Sequence, residues 1–278
     1  MDIDLDRGKL VVFLGGLLFF VILEAVFPKR HQSMSFASRL SFHLIIALLN
    51  TLLVRALVFV PFLYWTVYLE QQGWGISRLL GLKGWIEILC SFVVLDLFDY
   101  VWHRCNHRIK FLWRFHKAHH TDTEIDVSTS LRFHPGELFL SAITKAAWLF
   151  IWGPTAIAWF LFEASVSLSA QFHHSNIDFP DEIENRILWI LVTPRFHACH
   201  HAVKRKYGDA NFSTILSIWD RIFGSFELPL KGGEATSGMN TIGLPEDRNL
   251  SFSFLEWIRE PISERNLSLA NSNKNTHI

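Results

Sequence analysis

Cysteine is scarce in this chain. The three residues, Cys90, Cys105 and Cys199, are an odd number and form no C-x-x-C pair. That excludes a disulfide framework and a thiolate zinc site. Two of the three lie inside histidine-rich stretches, where a reducing, cytoplasmic environment suits them. Net charge is lacking too: 26 basic residues balance 26 acidic ones. No global field therefore exists to draw a nucleic acid. Beyond two short histidine pentamers there is no internal repeat, and no composition break marks a second catalytic domain.

What the chain has instead is apolar length. Half of its 278 residues are hydrophobic, with 25 Phe and 11 Trp, and the mean hydropathy is +0.23. The run 10–27 follows an acidic start and lacks a small-residue cleavage site, so it reads as a retained membrane anchor. The run 40–70, interrupted by Asn50, Arg55 and Pro61, reads as one kinked span or as a span plus an interfacial helix. A third run, 85–102, leads into HRCNH. The fourth, 137–172, would be about 54 Å long as a single helix, against a hydrocarbon core of about 30 Å. Gly153-Pro154 splits it, predicting a hairpin of two antiparallel halves. The expected fold is all-α: a polytopic membrane bundle of about four spans under a cytoplasmic helical cap. Its expected parts are membrane helices over 1–95, a catalytic region over 96–226 that includes the hairpin, and a loose polar tail over 227–278.

The loops on either side of these runs differ in charge. Lys29, Arg30 and Arg39 precede the second run, and Arg104, Arg108, Lys110, Arg114 and Lys117 follow the third. The opposite loop, 71–84, has only Arg78 and Lys83. The bias places the histidine clusters in the cytoplasm.

Fourteen histidines are present, and three clusters stand out: HRCNH (103–107), HKAHH (116–120) and HACHH (197–201). Positions i, i+3 and i+4 of a helix share a face, so His116, His119 and His120 project together, as do His197, His200 and His201. His103 and His107 form an i, i+4 pair, with Asp96 and Asp99 on the same stripe within an arc of about 80°. The two acids are candidate catalytic-site residues that orient imidazole ligands by accepting their N–H groups. Eight imidazoles are too many for one ion, and a dinuclear site follows. His174 leaves the hairpin at the right height for a ninth ligand, while adjacent His173 is expected on a polar surface. For His134 the roles of ligand, supporting group and loop-packing residue stay open. Lys117, Arg195 and Lys204 to Lys206 are candidate docking cations for lipid head groups or an acidic redox protein, or simply cytoplasmic charges.

On the segments DLFDYVWHRCNH, LWRFHKAHH, RFHPGE, QFHHSN, TPRFHACHH and NFSTILSIWDRIFGSF, the stretch 96–226 resembles the fatty acid hydroxylase / sterol desaturase superfamily of integral-membrane di-iron enzymes. The resemblance implies that His103, His107, His116, His119, His120, His174, His197, His200 and His201 hold two iron ions. It also implies O2 as co-substrate and hydroxylation or desaturation of a C–H bond in a fatty acyl, sterol-like or isoprenoid lipid. The chain carries no His-Pro-Gly-Gly haem signature and no flavin or nicotinamide fingerprint. A separate cytochrome b5-, ferredoxin- or flavoprotein-type donor is therefore expected. One departure is Asn211-Phe212-Ser213 where the family often has Asn-Tyr-Gly, which puts the local turn in question. Two readings from other classes compete: a histidine-lined metal transporter and a dinuclear zinc hydrolase.

Overall fold

A computed structural model describes residues 2–53, 60–228, 242–244 and 252–263. The described residues form thirteen α-helices: α1 (Asp2–Val26), α2 (Phe36–Asn50), α3 (Val60–Gln71), α4 (Ile76–Leu79), α5 (Gly84–Arg108), α6 (Lys110–His120), α7 (Pro135–Trp152), α8 (Ala156–His174), α9 (Asp181–Ile187), α10 (Pro194–His200), α11 (Arg205–Gly208), α12 (Ile218–Ile222) and α13 (Phe254–Arg259). Only isolated bridges, and no strand, occur among them.

Two stretches, Arg7–Val26 and Phe36–Leu53, are long and apolar enough to cross a membrane, with mean hydropathies of 2.3 and 1.5. Their outward faces are bare of protein: Val11 is 70% exposed and Leu18 62%. Burying that area in lipid is favourable by about 25 cal/mol per Å². The inner face of α1 packs along α8, with Phe20 against Phe172 and Gln171 donating to the Phe13 carbonyl. The described residues are thus all-helical, with two helices long and apolar enough to cross a membrane.

The hairpin expected at Gly153-Pro154 is present. Pro135 starts α7, where a missing N–H costs nothing, and His134 caps it by accepting from the Gly136 amide at 3.0 Å. Gly153 ends α7 in the left-handed region at φ +69°, a conformation that disfavours any Cβ. A Cβ there would also meet the Trp74 carbonyl oxygen at 2.0 Å. Thr155 caps α8, and the Glu87 carboxylate takes both the Thr155 amide and its hydroxyl. Leu95, Leu149, Trp159 and Phe162 fill the space between α5, α7 and α8.

The run 40–70, read as one kinked span or as a span plus an interfacial helix, holds two helices, α2 and α3, with 54–59 between them outside the described residues. Two expectations need correction. The polar tail is not wholly loose: α13 docks with Trp257 buried, and Glu260 pairs with Lys117 at 2.8 Å. Lys117 and Arg39 are also not loop cations. Both are fully buried, Arg39 between Asp122 and Asp126 at 3.1 and 2.6 Å.

Candidate metal centre

A single extended residue, Ile109, separates α5 from α6 and folds the second helix back onto the first. His103 and His107 on α5 thereby meet His116 and His120 on α6, with ring centroids of 103–116 and 107–120 at 5.0 and 4.7 Å. The end of α8 brings His174, and α10 with its cap brings His197, His200 and His201. All nine are part of one cluster, in two groups whose potential ligand atoms lie within 4.8 Å of one another: His103, His107, His116, His120 and His200, and His119, His174, His197 and His201.

The division crosses the pentamers. In each H-x-x-H-H, the first and last histidines, one helical turn apart, go to one group, and the fourth position goes to the other. HKAHH gives 116 and 120 to the five-membered group and 119 to the four-membered one. HACHH gives 197 and 201 to the latter and 200 to the former. Neither pentamer completes a group alone.

Hydrogen bonds fix which nitrogen faces inward. The Nδ1 of His103, His200 and His174 donate to the carbonyls of Phe212, Ala210 and Ala170 at 2.8, 2.6 and 2.7 Å. His116 Nδ1 lies 2.7 Å from Glu137 Oε1. A proton on Nδ1 leaves the Nε2 lone pair free to ligate. The Nε2 atoms then crowd together: 116 to 120 at 3.2 Å, 119 to 174 at 3.1 Å, 174 to 197 at 3.0 Å. Burial and the neighbouring imidazoles push the basicity down, His174 to about 4 and His200 to about 3. His103, His107, His119, His120, His197 and His201 fall well below 6.5 for the same reason. These eight rings are thus neutral near pH 7, the form a metal needs. His107 Nε2 and His200 Nε2 are buried without a partner. Unpaired buried acceptors facing one another cost free energy unless a cation sits among them. The all-imidazole donor set fits a divalent transition metal such as iron.

The supporting residues differ from the expected ones. Asp96 does not reach an imidazole. It accepts from the amides of Ile215 and Leu216 and from the Trp219 indole. Asp220 takes the amides of Phe212 and Ser213. Together these two acids shape the segment whose Phe212 carbonyl holds His103. Asn211, at φ +60°, makes the turn there, and a serine suffices where glycine was in question. Asp99 lies 4.0 Å from Lys145 instead of beside a histidine. The imidazole acceptor that sequence reasoning missed is Glu137, whose only signal was its place in RFHPGE. His173 is buried rather than on a polar surface, its ring 4.0 Å from His197. His134 caps α7 and packs on Trp257, which selects the loop-packing alternative. Arg195 is engaged with Glu184 at 3.6 Å, and Lys206 remains exposed beside Glu227.

Two cavities flank the cluster. The larger, about 300 Å³, opens among α5, α7 and α8 and reaches His103, His116, His119 and His174. The smaller, about 70 Å³, touches His107, His120 and His201 beside Trp113.

Nine clustered imidazoles in two groups, gathered from α5, α6, α8 and α10 with its cap, define a candidate metal centre of the histidine-box type. Residues 88–225, which contain all nine, match the fatty acid hydroxylase family, and the chain belongs to that family. It is 30% identical over 144 residues to the human alkylglycerol monooxygenase, covering 49% of this chain and 30% of the human protein. It is 25% identical over 183 residues to the ornithine lipid hydroxylase OlsE of Rhizobium tropici, covering 64% and 51%. A cholesterol 25-hydroxylase-like protein of Caenorhabditis briggsae is 36% identical over 123 residues, covering 41% and 38%. The chain thus spans between 30% and 51% of the length of these relatives. No solved structure matches it.

Proposed function

We propose that this chain is a membrane-bound, O2-dependent oxidoreductase that hydroxylates or desaturates a C–H bond of a lipid, with its nine clustered histidines holding two iron ions. The observation that carries this reading is the two groups of five and four clustered imidazoles beside a cavity large enough for part of a lipid. Bound iron supplies the reduction of O2 and the cleavage of an unactivated C–H bond, for which imidazole, carboxyl and hydroxyl groups have no chemistry.

The chain's own residues do the rest. His103, His107, His116, His120 and His200 hold one ion, and His119, His174, His197 and His201 the other. The Phe212, Ala210 and Ala170 carbonyls and Glu137 keep protons on Nδ1 and so keep Nε2 directed inward. Phe133, stacked on His119 at 4.8 Å with the rings 4° from parallel, closes one wall against water. Asp96 acts one step removed, through the Phe212 segment.

The reading includes a multi-pass topology with the histidines on the cytoplasmic side, supported by Arg104, Arg108, Lys110 and Arg114 in one segment. Electrons would arrive from a separate cytochrome b5-, ferredoxin- or flavoprotein-type donor. The test is a metal assay on purified protein together with mass spectrometry of lipids from cells with and without the gene. About two irons per chain and a lipid heavier by one oxygen atom, or lighter by two hydrogens, are expected. Stoichiometric zinc with no O2 consumption would instead return the reading to a hydrolase.

A further inference from the structure

The larger cavity is not an apolar sleeve. Its wall carries Asp99 from α5 and Lys145 from α7, 4.0 Å apart. Lys145 also donates to Glu163 of α8 at 2.8 Å. Lys9 of α1 and Lys145 both lie over the Trp159 ring, at 5.4 and 5.3 Å. Two ammonium groups and two carboxyls thus meet inside the helical bundle, where such groups are expensive and mark function more often than support.

Lys145–Glu163 joins α7 to α8, and that alone is a structural role. Asp99 does not share it. Its carboxyl accepts no hydrogen bond among the described residues, stays 11% exposed, and borders the cavity. A gap of 4.0 Å between Lys145 Nζ and Asp99 Oδ1 is too long for a good hydrogen bond. It suits a third group that accepts from one and donates to the other. The charges decide the kind of group. An anion beside Lys145 would also face Asp99 and Glu163, and a cation beside Asp99 would face Lys145. A hydroxyl is neutral, and it both donates and accepts.

We infer that Asp99 and Lys145 form a head-group subsite that selects lipids bearing an uncharged hydroxyl, placed one to two helix turns from the imidazoles. Asp99 is one turn from His103 along α5, about 6 Å, and Lys145 is eight residues from Glu137 along α7, about 12 Å. The reacting carbon is therefore set by its distance from the hydroxyl, and the residues act as specificity determinants. This rests on the cavity being the lipid chamber of the proposed oxidoreductase.

The test is binding to the purified full chain in detergent, by calorimetric titration, with three probes of similar length: dodecan-1-ol, 1-methoxyundecane and dodecanoate. Iron content is measured on the same samples. Dodecan-1-ol is expected to bind about tenfold or more tightly than the methyl ether, which cannot donate, and than the carboxylate. In Asp99→Leu the preference for alcohol over ether should vanish while the affinity for the ether is kept. If that variant does not fold, the three-probe order in the wild type and a reduced preference in Asp99→Asn carry the same information. Equal binding of alcohol and ether, or an alcohol preference that survives in Asp99→Leu, overturns the subsite. A protein without iron that still prefers the alcohol would overturn the enzymatic reading and leave the subsite standing.

Discussion

The two imidazole groups are made of the same ligand and yet are held differently. In the five-membered group, three rings are anchored through Nδ1: His103 and His200 by carbonyls, His116 by Glu137. In the four-membered group only His174 has such an anchor, and the Nδ1 atoms of His119, His197 and His201 have no partner. Those three are positioned by packing: His119 against Phe133, His201 stacked on His120 at 4.3 Å. Packing fixes a ring's plane, whereas a hydrogen bond also fixes its tautomer and raises its basicity. On the proposed reading the five-membered group is therefore the stiffer and tighter site, and the four-membered group the more exchangeable one.

The strongest way to break that contrast is to remove one ligand from each side. His119→Ala leaves three imidazoles in its group, while His107→Ala leaves four. Iron per chain should fall from about two to about one in the first variant, with lipid oxidation lost. His107→Ala should retain clearly more iron on the same assay. Equal losses would show that the groups do not act as separate sites.

Remote support comes next in size. Arg39 ties α2 to Asp122 and Asp126, at the start of the loop that ends in Phe133 and so backs His119. Arg39→Met leaves two buried carboxylates without their cation, a loss of about 3–5 kcal/mol. It should lower the thermal midpoint and speed chelation of the more exchangeable ion. A change of under about 1 kcal/mol would mean that the network is solvated in the membrane-bound protein.

Glu137→Gln has a smaller effect, confined to the other group. The amide oxygen still accepts from His116 Nδ1, but its charge is gone. Metal affinity should fall about 10- to 100-fold at one site only. Two equal drops in a chelator titration would contradict the assignment of His116 to the five-membered group.

The sequence carried a good deal of this arrangement. Helical spacing put each pentamer on one face, and Gly153-Pro154 announced the turn that returns His174 to the cluster. Both signals are local, decided within a few residues. The partners of buried polar groups are not local. Arg39 meets acids 83 and 87 residues away, and Lys117 bonds to Ser263, 146 residues distant. No period encodes such pairs, so both cations read as loop charges. Asp96 and Asp99 were placed on the correct stripe, yet a stripe spans a broad arc, and their carboxyls point to the Ile215 amide and to Lys145. His173 reads as exposed because an adjacent residue points elsewhere on a helix. The end of α8 is enclosed on several sides, so that direction is buried too.

The mildest perturbation tests whether Asp96 works through the segment it holds. Trp219 gives one of the three hydrogen bonds that Asp96 accepts, and the two backbone amides remain in Trp219→Phe. The expected loss of stability is about 1 kcal/mol. Asp220 separately accepts from the Phe212 and Ser213 amides, so His103 should stay in place and iron content should be unchanged. The variant thus separates stability from metal binding within one segment. If iron is lost from the five-membered group while the fold persists, then Asp96 controls the orientation of His103 far more directly than the distances between them allow, and the greater stiffness assigned to that group would rest on one indole.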